Sequence, residues 1–325
     1  MALQRRRFLH LVSGAAALTF LSRPATAQAY PTRPVRLIVG FAPAGASDIT
    51  ARLIGQWLSE RLGQQFVVEN RPGAGGNFAT EAVAKAQPDG YTLLLMGSSN
   101  TWNATLYSNL KFNFIRDIVP VASVSRAMSV LVVHPSVPAR SVPELIAYAK
   151  ANPGKLTIAS AGIGSAQHMY WELFRSMSGV DMLHVPYRGA GAALTDLVGG
   201  QVQAYFGALL SSIQYIGDGK LRALAVTGST RADVLPGIPT VGEFVTGYEA
   251  STWFGVGAPR NTPAEIVDKL NREINAGLAD PMMKARFADL GAEVLAGSPA
   301  DMGKLFAEEV EKWGKVIKFA GIKAE

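Results

Sequence analysis

The stretch VRLIVGFAPAGASDITARLIGQWLSERLG, residues 35–63, has the pattern of a buried strand, a turn of small residues and an amphipathic helix. The strand ends at APAGASD (42–48). Apolar residues then recur at helical spacing, at Ile49, Leu53, Ile54, Trp57, Leu58 and Leu62. A turn that opens a helix leaves backbone N–H groups free, and these groups favour an anion. The stretch therefore predicts an α/β unit with a turn on which an anion can sit.

The same alternation continues along the chain of 325 residues. Further apolar strands are predicted at QFVVEN, YTLLLMG, SVLVVHP, KLTIAS, DMLHVPY, QVQAYFG, LRALAVTG and STWFGVGAP. Most are followed by a loop and a helix, an order that is typical of mostly parallel sheets with helices on both faces. Two helices are expected to finish the chain, TPAEIVDKLNREINAGL and SPADMGKLFAEEVEKWGKVI, each with a cap and a proline at its first position.

A chain of this length favours two α/β lobes rather than one core. We expect lobe 1 to comprise residues 30–125 and 250–325, and lobe 2 to comprise residues 126–249. Two strands would cross between the lobes, near Val121–Val133 and Ala250–Gly257. Two lobes joined in this way form a hinge with a cleft between them.

The composition excludes several classes of protein. Hydrophobic residues make up 48% and charged residues 17%, as in globular proteins. The net charge is +6, but four arginines and no acid lie in the first 27 residues, and the rest has 27 basic and 25 acidic side chains. This balance gives no indication of nucleic-acid binding. The chain has no cysteine, which excludes disulfides, thiolate metal sites and cysteine nucleophiles.

The first 29 residues, MALQRRRFLHLVSGAAALTFLSRPATAQA, have the order of a signal peptide: a basic segment, an apolar segment and small residues. Cleavage is expected after Ala27 or Ala29, which gives a periplasmic protein. Arg5 and Arg6 fit the twin-arginine export route, and the ordinary Sec route remains equally open. No later apolar run reaches the ~18 residues of a membrane span.

Four loops are expected at the carboxyl ends of strands, where open α/β sheets bind ligands. They are APAGASD (42–48), PGAGGN (72–77), GSSN (97–100) and SAGIGS (160–165). Small polar residues also occur at such turns for geometry and capping alone, so one loop by itself is weak evidence. Loops of this kind on both lobes, facing one cleft, favour ligand binding. In the first loop, Ser47 is expected to cap the helix, and Asp48 to interact with the helix dipole.

Nucleotide and catalytic motifs are absent or incomplete in the sequence. There is no P-loop, no G-x-S-x-G and no H-E-x-x-H, and GAGGNF lacks the third glycine of a dinucleotide motif. His168 is expected in the first turn of a helix, either facing the cleft or packed in the protein, whereas His134 and His184 are expected to be structural. Arg188 fits either a carboxylate partner or a solvated loop residue. A secreted hydrolase that uses Ser47 or Ser165 with His168 is the enzyme alternative, and it lacks a nucleophile elbow.

Several longer stretches resemble the substrate-binding receptors of tripartite tricarboxylate transporters, the Bug receptors. These include YPTRPVRLIVGFAPAGASD, VENRPGAGGNFATEAVAKAQPDGYTLLL, ASAGIGSAQHM, VPYRGAGAALTDLVGGQVQAYF and GKLRALAVTGSTRADVLPGIPTVGE. The resemblance covers nearly all of the chain after its leader. It implies a two-lobe periplasmic binding protein of type II-like fold that closes on a small di- or tricarboxylate or other organic acid. It also implies delivery to permease subunits in the membrane, a monomer, and no catalysis, cofactor or metal.

The resemblance implies that the ligand carboxylate meets backbone amides of the first turn and of the SAGIGS turn, often with bridging water. Two departures are present: the first turn reads PAGAS where a double glycine is common, and Gly207 and Ala208 stand where Asp–Asn is common. The second departure disfavours ligands that carry an amine. A receptor that presents its closed form to a signalling sensor remains an alternative. The predicted ligand-binding residues are Phe41, Ala44, Gly45, Ala46, Ser47, Asp48, Asn77, Ser98, Ser160, Ala161, Gly162, Ser165, His168, Tyr187 and Gly207.

Overall fold

The computed structural model describes residues 30–43 and 45–323. The strands are β1 (Val35–Val39), β2 (Phe66–Asn70), β3 (Thr92–Gly97), β4 (Ile118–Val133), β5 (Thr157–Ser160), β6 (Leu183–Pro186), β7 (Ala204–Ala208), β8 (Arg222–Val226), β9 (Ser251–Pro259) and β10 (Glu293–Val294). The helices are α1 (Ala46–Leu62), α2 (Asn77–Ala84), α3 (Ser98–Leu106), α4 (Phe114–Asp117), α5 (Val142–Ala151), α6 (Ala166–Ser178), α7 (Ala190–Val198), α8 (Leu209–Gly217), α9 (Ala264–Ala279), α10 (Pro281–Asp289) and α11 (Pro299–Ala320). The predicted signal peptide and Ala44 lie outside the described residues.

The strands form one mixed sheet in the order β2-β1-β3-β9-β4-β7-β5-β6, with β8 and β10 also paired to β4. Strand β1 is parallel to β2 and β3, and β5 is parallel to β6 and β7. The expectation of mostly parallel sheets flanked by helices holds at both ends, and the crossover strands make the centre antiparallel. There, β9 is antiparallel to β3 and β4, because the chain leaves the first half of the sheet through β4 and returns through β9.

Strand β4 is long enough to belong to both halves of the sheet. Its residues Ile118–Met128 pair with β9, and Ser129–Val133 pair with β7. The chain enters β9 from the second half, where the Ala250 N–H donates to the Thr227 carbonyl at 2.9 Å. The two strands therefore connect the halves as expected for crossover strands. The residue boundaries of the lobes stay a prediction.

Side chains of the first half alternate between two helix layers, since successive residues of a strand point to opposite faces. In β3, Leu93 and Leu95 face the layer formed by α1 and α9, and Leu94 and Met96 face α2 and the start of α11. Burial on both faces explains why such a strand is apolar throughout. The second half has the same arrangement, with α5 and α6 on one face and α7 and α8 on the other.

Three helices follow β9, where the sequence predicted two. Asp280 accepts from the amides of Met282 and Met283 and so starts the separate helix α10. The expected side-chain cap of α9 is also wrong, since Pro263 occupies that position and cannot cap. The cap of α11 is present, with Ser298 and Asp301 bonded to each other's backbone amides.

Helix α11 packs against both halves of the sheet. Near its start, Phe306 stacks on Trp253 in the first half, with ring centroids 5.1 Å apart. Two turns later, Trp313 lies against Trp102 at 5.7 Å and Tyr170 at 6.0 Å in a core shared with the second half. The last helix therefore couples the two halves, which the sequence did not predict.

Candidate functional site

A cavity of about 510 Å³ lies at the carboxyl ends of β1, β3 and β5. Residues from all four predicted loops line it, together with one face of α3 and the start of β9. The lining residues are Phe41, Gly45, Ala46, Ser47, Gly75, Gly97, Ser98, Ser99, Trp102, Asn103, Leu106, Tyr107, Ile163, Gly164, Ser165, Ala166, Thr252 and Phe254. None of these described residues carries a charge.

The first wall is the N-terminal turn of α1. Gly45 occupies the cap position of α1 in an extended conformation, and glycine has no side chain that could cap the helix. Ser47 lies inside the helix, so the expectation that it caps α1 is wrong. The amides of Ala46 and Ser47 belong to the first turn, where helix geometry supplies no intrahelical acceptor. Both residues line the cavity, so this turn presents uncapped N–H groups to it.

Asp48 lies in the same turn but does not line the cavity. Its buried carboxylate accepts from Arg52 Nε at 2.9 Å and Arg52 Nη2 at 3.0 Å. This bidentate hydrogen bond raises the pKa of Arg52, and the opposite charge of the carboxylate adds to the effect. Asp48 is therefore a structural anion held by one arginine.

The second wall is α3, which the sequence only partly identified. Ser98 accepts a hydrogen bond from the Trp253 amide at 2.9 Å, so its side chain fastens β9 to the start of the helix. Further along, Ser99, Trp102, Asn103, Leu106 and Tyr107 line the cavity. The spacing of these positions is the i, i+3, i+4, i+7 pattern of one helix face, and this signal was available in SSNTWNATLY.

The PGAGGN loop lies behind the α3 wall and contributes one lining residue, Gly75. Asn103 donates to the Gly75 carbonyl at 2.9 Å and to Asn77 Oδ1 at 3.2 Å. Asn77 is buried and does not line the cavity. Asn103, and not the predicted Asn77, is the asparagine at the cavity surface.

The third wall is the SAGIGS turn, which lies before α6. The Gly162 amide donates to Ser160 Oγ at 3.1 Å, and the Gly164 amide donates to His168 Nδ1 at 3.1 Å. The Ser165 amide donates to the Gly162 carbonyl at 3.1 Å, so three amides of this turn are used within the protein. Ser165 caps α6 by accepting from the His168 amide at 3.4 Å. Among the expected residues of the turn, Ser165 lines the cavity, whereas Ser160, Ala161 and Gly162 do not.

His168 lies behind this turn and does not reach the cavity. Its ring stacks on His184 with centroids 4.1 Å apart, and its Nε2 is 3.6 Å from Glu172 Oε1. Because Nδ1 accepts an amide hydrogen, the ring is the neutral form with its proton on Nε2. Of the two environments that the sequence left open for His168, the packed one is found.

His184 completes the buried group through a contact of 2.7 Å between its Nε2 and Ser160 Oγ. Burial lowers the pKa of His184 to about 4, the neighbouring His168 ring acts in the same direction, and the carboxylate of Glu172 opposes the shift. Burial alone would raise the pKa of Glu172, but the nearby His168 ring and the hydrogen bond from Arg175 at 3.1 Å outweigh it, and the pKa is lowered. His184 is therefore a neutral support of the turn.

Two further predicted residues lie away from the cavity wall. The Tyr187 hydroxyl donates to Asp196 at 2.8 Å, and burial, followed by this bond, raises the pKa of Tyr187 to about 12. A Cβ atom on Gly207 would lie 2.4 Å from Ser212 Oγ, so glycine is needed there for close packing. Arg188 is exposed and does not line the cavity either.

Two arrangements among the described residues would indicate catalysis or metal binding, a serine–histidine pair and a cluster of metal ligands. His168 Nδ1 bonds the Gly164 amide, so this ring nitrogen is not aimed at Ser165 as a general base. Within residues 30–43 and 45–323, no group of three or more His, Asp or Glu side chains is arranged to hold a metal ion. In the same residues, no helix is both long and apolar enough to cross a membrane.

Comparisons with known proteins agree with this arrangement. Residues 50–322 match the family model of the tripartite tricarboxylate transporter family receptor. Protein BugT of Bordetella pertussis is 37% identical over 322 residues, which cover 98% of each chain.

Solved structures show the same fold. An R. palustris protein solved with adipate is 40% identical, with a TM-score of 0.77, over 90% of this chain and 99% of its own. MatC from Rhodopseudomonas palustris with bound malate is 33% identical, with a TM-score of 0.74, over 89% and 100%. The chain therefore belongs to the receptor family of the tripartite tricarboxylate transporters.

Proposed function

We propose that the protein is a periplasmic receptor that captures a small organic carboxylate in the cavity and delivers it to the permease subunits of a tripartite tricarboxylate transporter. The observation that carries the proposal is a cavity lined by the first turns of α1, α3 and α6 and by no charged side chain. Helix N-termini favour anions through free N–H groups and the helix dipole. The adipate and malate complexes of the two related proteins support a carboxylate as that anion.

The carboxylate would be held from both walls of the cavity. On one wall the Ala46 and Ser47 amides are its donors, and on the other the Ala166 amide, which opens α6. Hydrogen bonds to a charged group contribute roughly 1.5–3 kcal/mol each. A ligand that contacts both walls stabilises the arrangement in which they lie close together.

The proposal includes a hinge between two lobes, residues 30–125 with 250–325 and residues 126–249. Strand β4 and the entry to β9 are the connections about which the lobes would close. A ligand that binds the folded protein raises its stability by roughly 2.7 kcal/mol at a hundred times its dissociation constant. Small-angle scattering at saturation should show a smaller radius of gyration for the monomer.

Export and the absence of catalysis are also part of the proposal. The leader pattern supports a mature chain that begins near Gln28 or Tyr30, which mass analysis of the exported protein would check. Because His168 Nδ1 already accepts from the Gly164 amide, this nitrogen is not available to activate a serine nucleophile. A panel of esters should therefore show no turnover.

Native mass spectrometry of freshly purified protein tests the central proposal, followed by a thermal-shift screen of mono-, di- and tricarboxylates. We expect either a bound organic acid or a dose-dependent rise in melting temperature with at least one acid. A protein that shows neither, but hydrolyses esters, would contradict the proposal.

A further inference from the structure

We infer that the acid bound in the cavity has an apolar body without amine or hydroxyl groups, which is the chemistry of an alkyl or aryl carboxylate. The inference rests on the proposed function. It adds the chemical class of the part of the ligand that lies beyond the carboxylate.

Large apolar side chains stand on both sides of the cavity. Trp102 and Leu106 of α3 form a buried surface, 4% and 7% exposed. Phe41 and Ile163, from the loops before α1 and α6, are 41% and 58% exposed on the two opposing walls. Apolar side chains that remain hydrated on two walls of one cavity gain free energy when an apolar group displaces that water.

Most polar side chains of the cavity are already bonded to the protein. Ser98, Asn103 and Ser165 make the hydrogen bonds described above. Thr252 Oγ1 bonds the hydroxyl of the buried Tyr170 at 2.9 Å. A hydroxyl group on the ligand body would lose its water at these positions and find few free partners.

Two of the three free hydroxyls lie in the opening turns of helices, where backbone N–H groups favour an anion. Within the described residues, Ser47, Ser99 and Tyr107 make no side-chain hydrogen bond, and the first two lie in the opening turns of α1 and α3. No lining residue is an acid that could pair with an ammonium group. The polar part of the cavity therefore suits the carboxylate, and the remainder suits hydrocarbon.

Calorimetric titration with matched pairs of acids tests the inference. Hexanoate is compared with gluconate, glutarate with glutamate, and benzoate with 3,4-dihydroxybenzoate. We expect the unsubstituted acid to bind at least about tenfold more tightly in every pair that binds, because each added polar group is desolvated without a partner.

The outcomes separate this inference from the proposed function. Equal or tighter binding of the hydroxylated or aminated member overturns the inference and leaves a carboxylate receptor in place. A protein that binds no member of the three pairs overturns the inference, and the proposed function falls with it only if no acid of the thermal-shift screen binds either.

Substitution of the apolar wall is a second test. Ile163→Ser should weaken binding of the preferred unsubstituted acid by roughly fivefold, because the ligand then covers less hydrocarbon. Ile115→Ser is the matched control, since Ile115 is 51% exposed and lies outside the cavity. Equal affinities of the two variants and the native protein would contradict the inference.

Discussion

The imidazole rings of His168 and His184 lie face to face, with centroids 4.1 Å apart and planes inclined by 7°. Each ring fastens one end of the SAGIGS turn: His168 holds the Gly164 amide, and His184 holds Ser160. Two cations cannot stack at this distance without strong repulsion. The cavity wall at α6 therefore depends on at least one of the two rings remaining uncharged.

Acid should weaken the fold through His184. Its pKa in the folded protein, about 4, lies below the ordinary value of 6.5, so the native state binds fewer protons than the unfolded state between these pH values. The stability it contributes is complete above pH 6.5 and is lost as the pH falls towards about 4. Glu172, whose pKa is lowered, adds a loss only at lower pH.

Urea unfolding across pH 4–7 measures this effect. His184→Gln should flatten the fall in the free energy of unfolding between pH 6.5 and 4, whereas His134→Gln, a histidine outside the pair, should leave it unchanged. A native-like slope in His184→Gln would contradict the role given to this ring.

Gly45 and Gly162 should respond differently to a larger side chain. A Cβ atom on Gly45 makes an ordinary contact of 3.6 Å and the residue has φ −82°, so Gly45→Val should keep the fold and weaken ligand binding at least about tenfold by shielding the α1 amides. Gly162 has φ +128°, and its Cβ would lie 3.2 Å from the Tyr187 carbonyl, so Gly162→Val should lower stability as well. Calorimetry and thermal unfolding separate the two effects, and normal binding by Gly45→Val would count against the α1 site.

Gly207 is predicted to be a packing residue. Gly207→Ala should destabilise the protein by about 1–3 kcal/mol, because Ser212 Oγ occupies the space that the new methyl group needs. Gly191→Ala, in α7 with open space around it, is the control and should be neutral or stabilising. Equal denaturation midpoints for the two variants would show that Ser212 moves aside at little cost, and would contradict the packing role of Gly207.

Trp313 should be a principal contact between the halves of the sheet. Trp313→Ala removes its packing on Trp102 and Tyr170 and its hydrogen bond of 2.7 Å to Glu309, for an expected loss of about 3–5 kcal/mol. Phe319→Ala on the same helix, where the ring is 60% exposed, should cost about 0.5 kcal/mol or less. Chemical denaturation of the two variants measures these losses. If α11 were only a peripheral helix, both losses in the free energy of unfolding would be small.

The sequence predicted the strands and helices better than the pairing and packing between them. The apolar run at β1 and the helical spacing of α1 place these two elements with little ambiguity. The four loops were identified from their small polar residues, and all four line one cavity because they lie at the carboxyl ends of strands. The antiparallel pairing of β4 and β9 and the packing of Trp313 depend on contacts between residues far apart in the chain, for which one sequence carries no direct signal.

Predicted residues line the cavity where the backbone itself forms the wall. Gly45, Ala46 and Ser47 line the cavity because the turn itself does. Ser160 and His168 do not, because their side chains are used to hold the turn, and no local pattern distinguishes a supporting histidine from one that faces a ligand. Trp102 and Leu106 were missed although their helical spacing was visible.

The central claim is that backbone amides of two helix starts hold the ligand carboxylate. Proline at the first position of a helix removes one N–H group and is otherwise well tolerated. The residues before Ala46 and Ala166 already have the extended conformation that precedes proline. The first position of α7, Ala190, lies outside the cavity and serves as the matched control.

Calorimetric titration of Ala46→Pro, Ala166→Pro and Ala190→Pro with the tightest-binding acid is the most direct measurement. The account predicts folded proteins and a loss of roughly 10- to 150-fold in affinity for the first two, the equivalent of one charge-assisted hydrogen bond. It predicts native affinity for Ala190→Pro. Native affinity in both Ala46→Pro and Ala166→Pro would contradict the account.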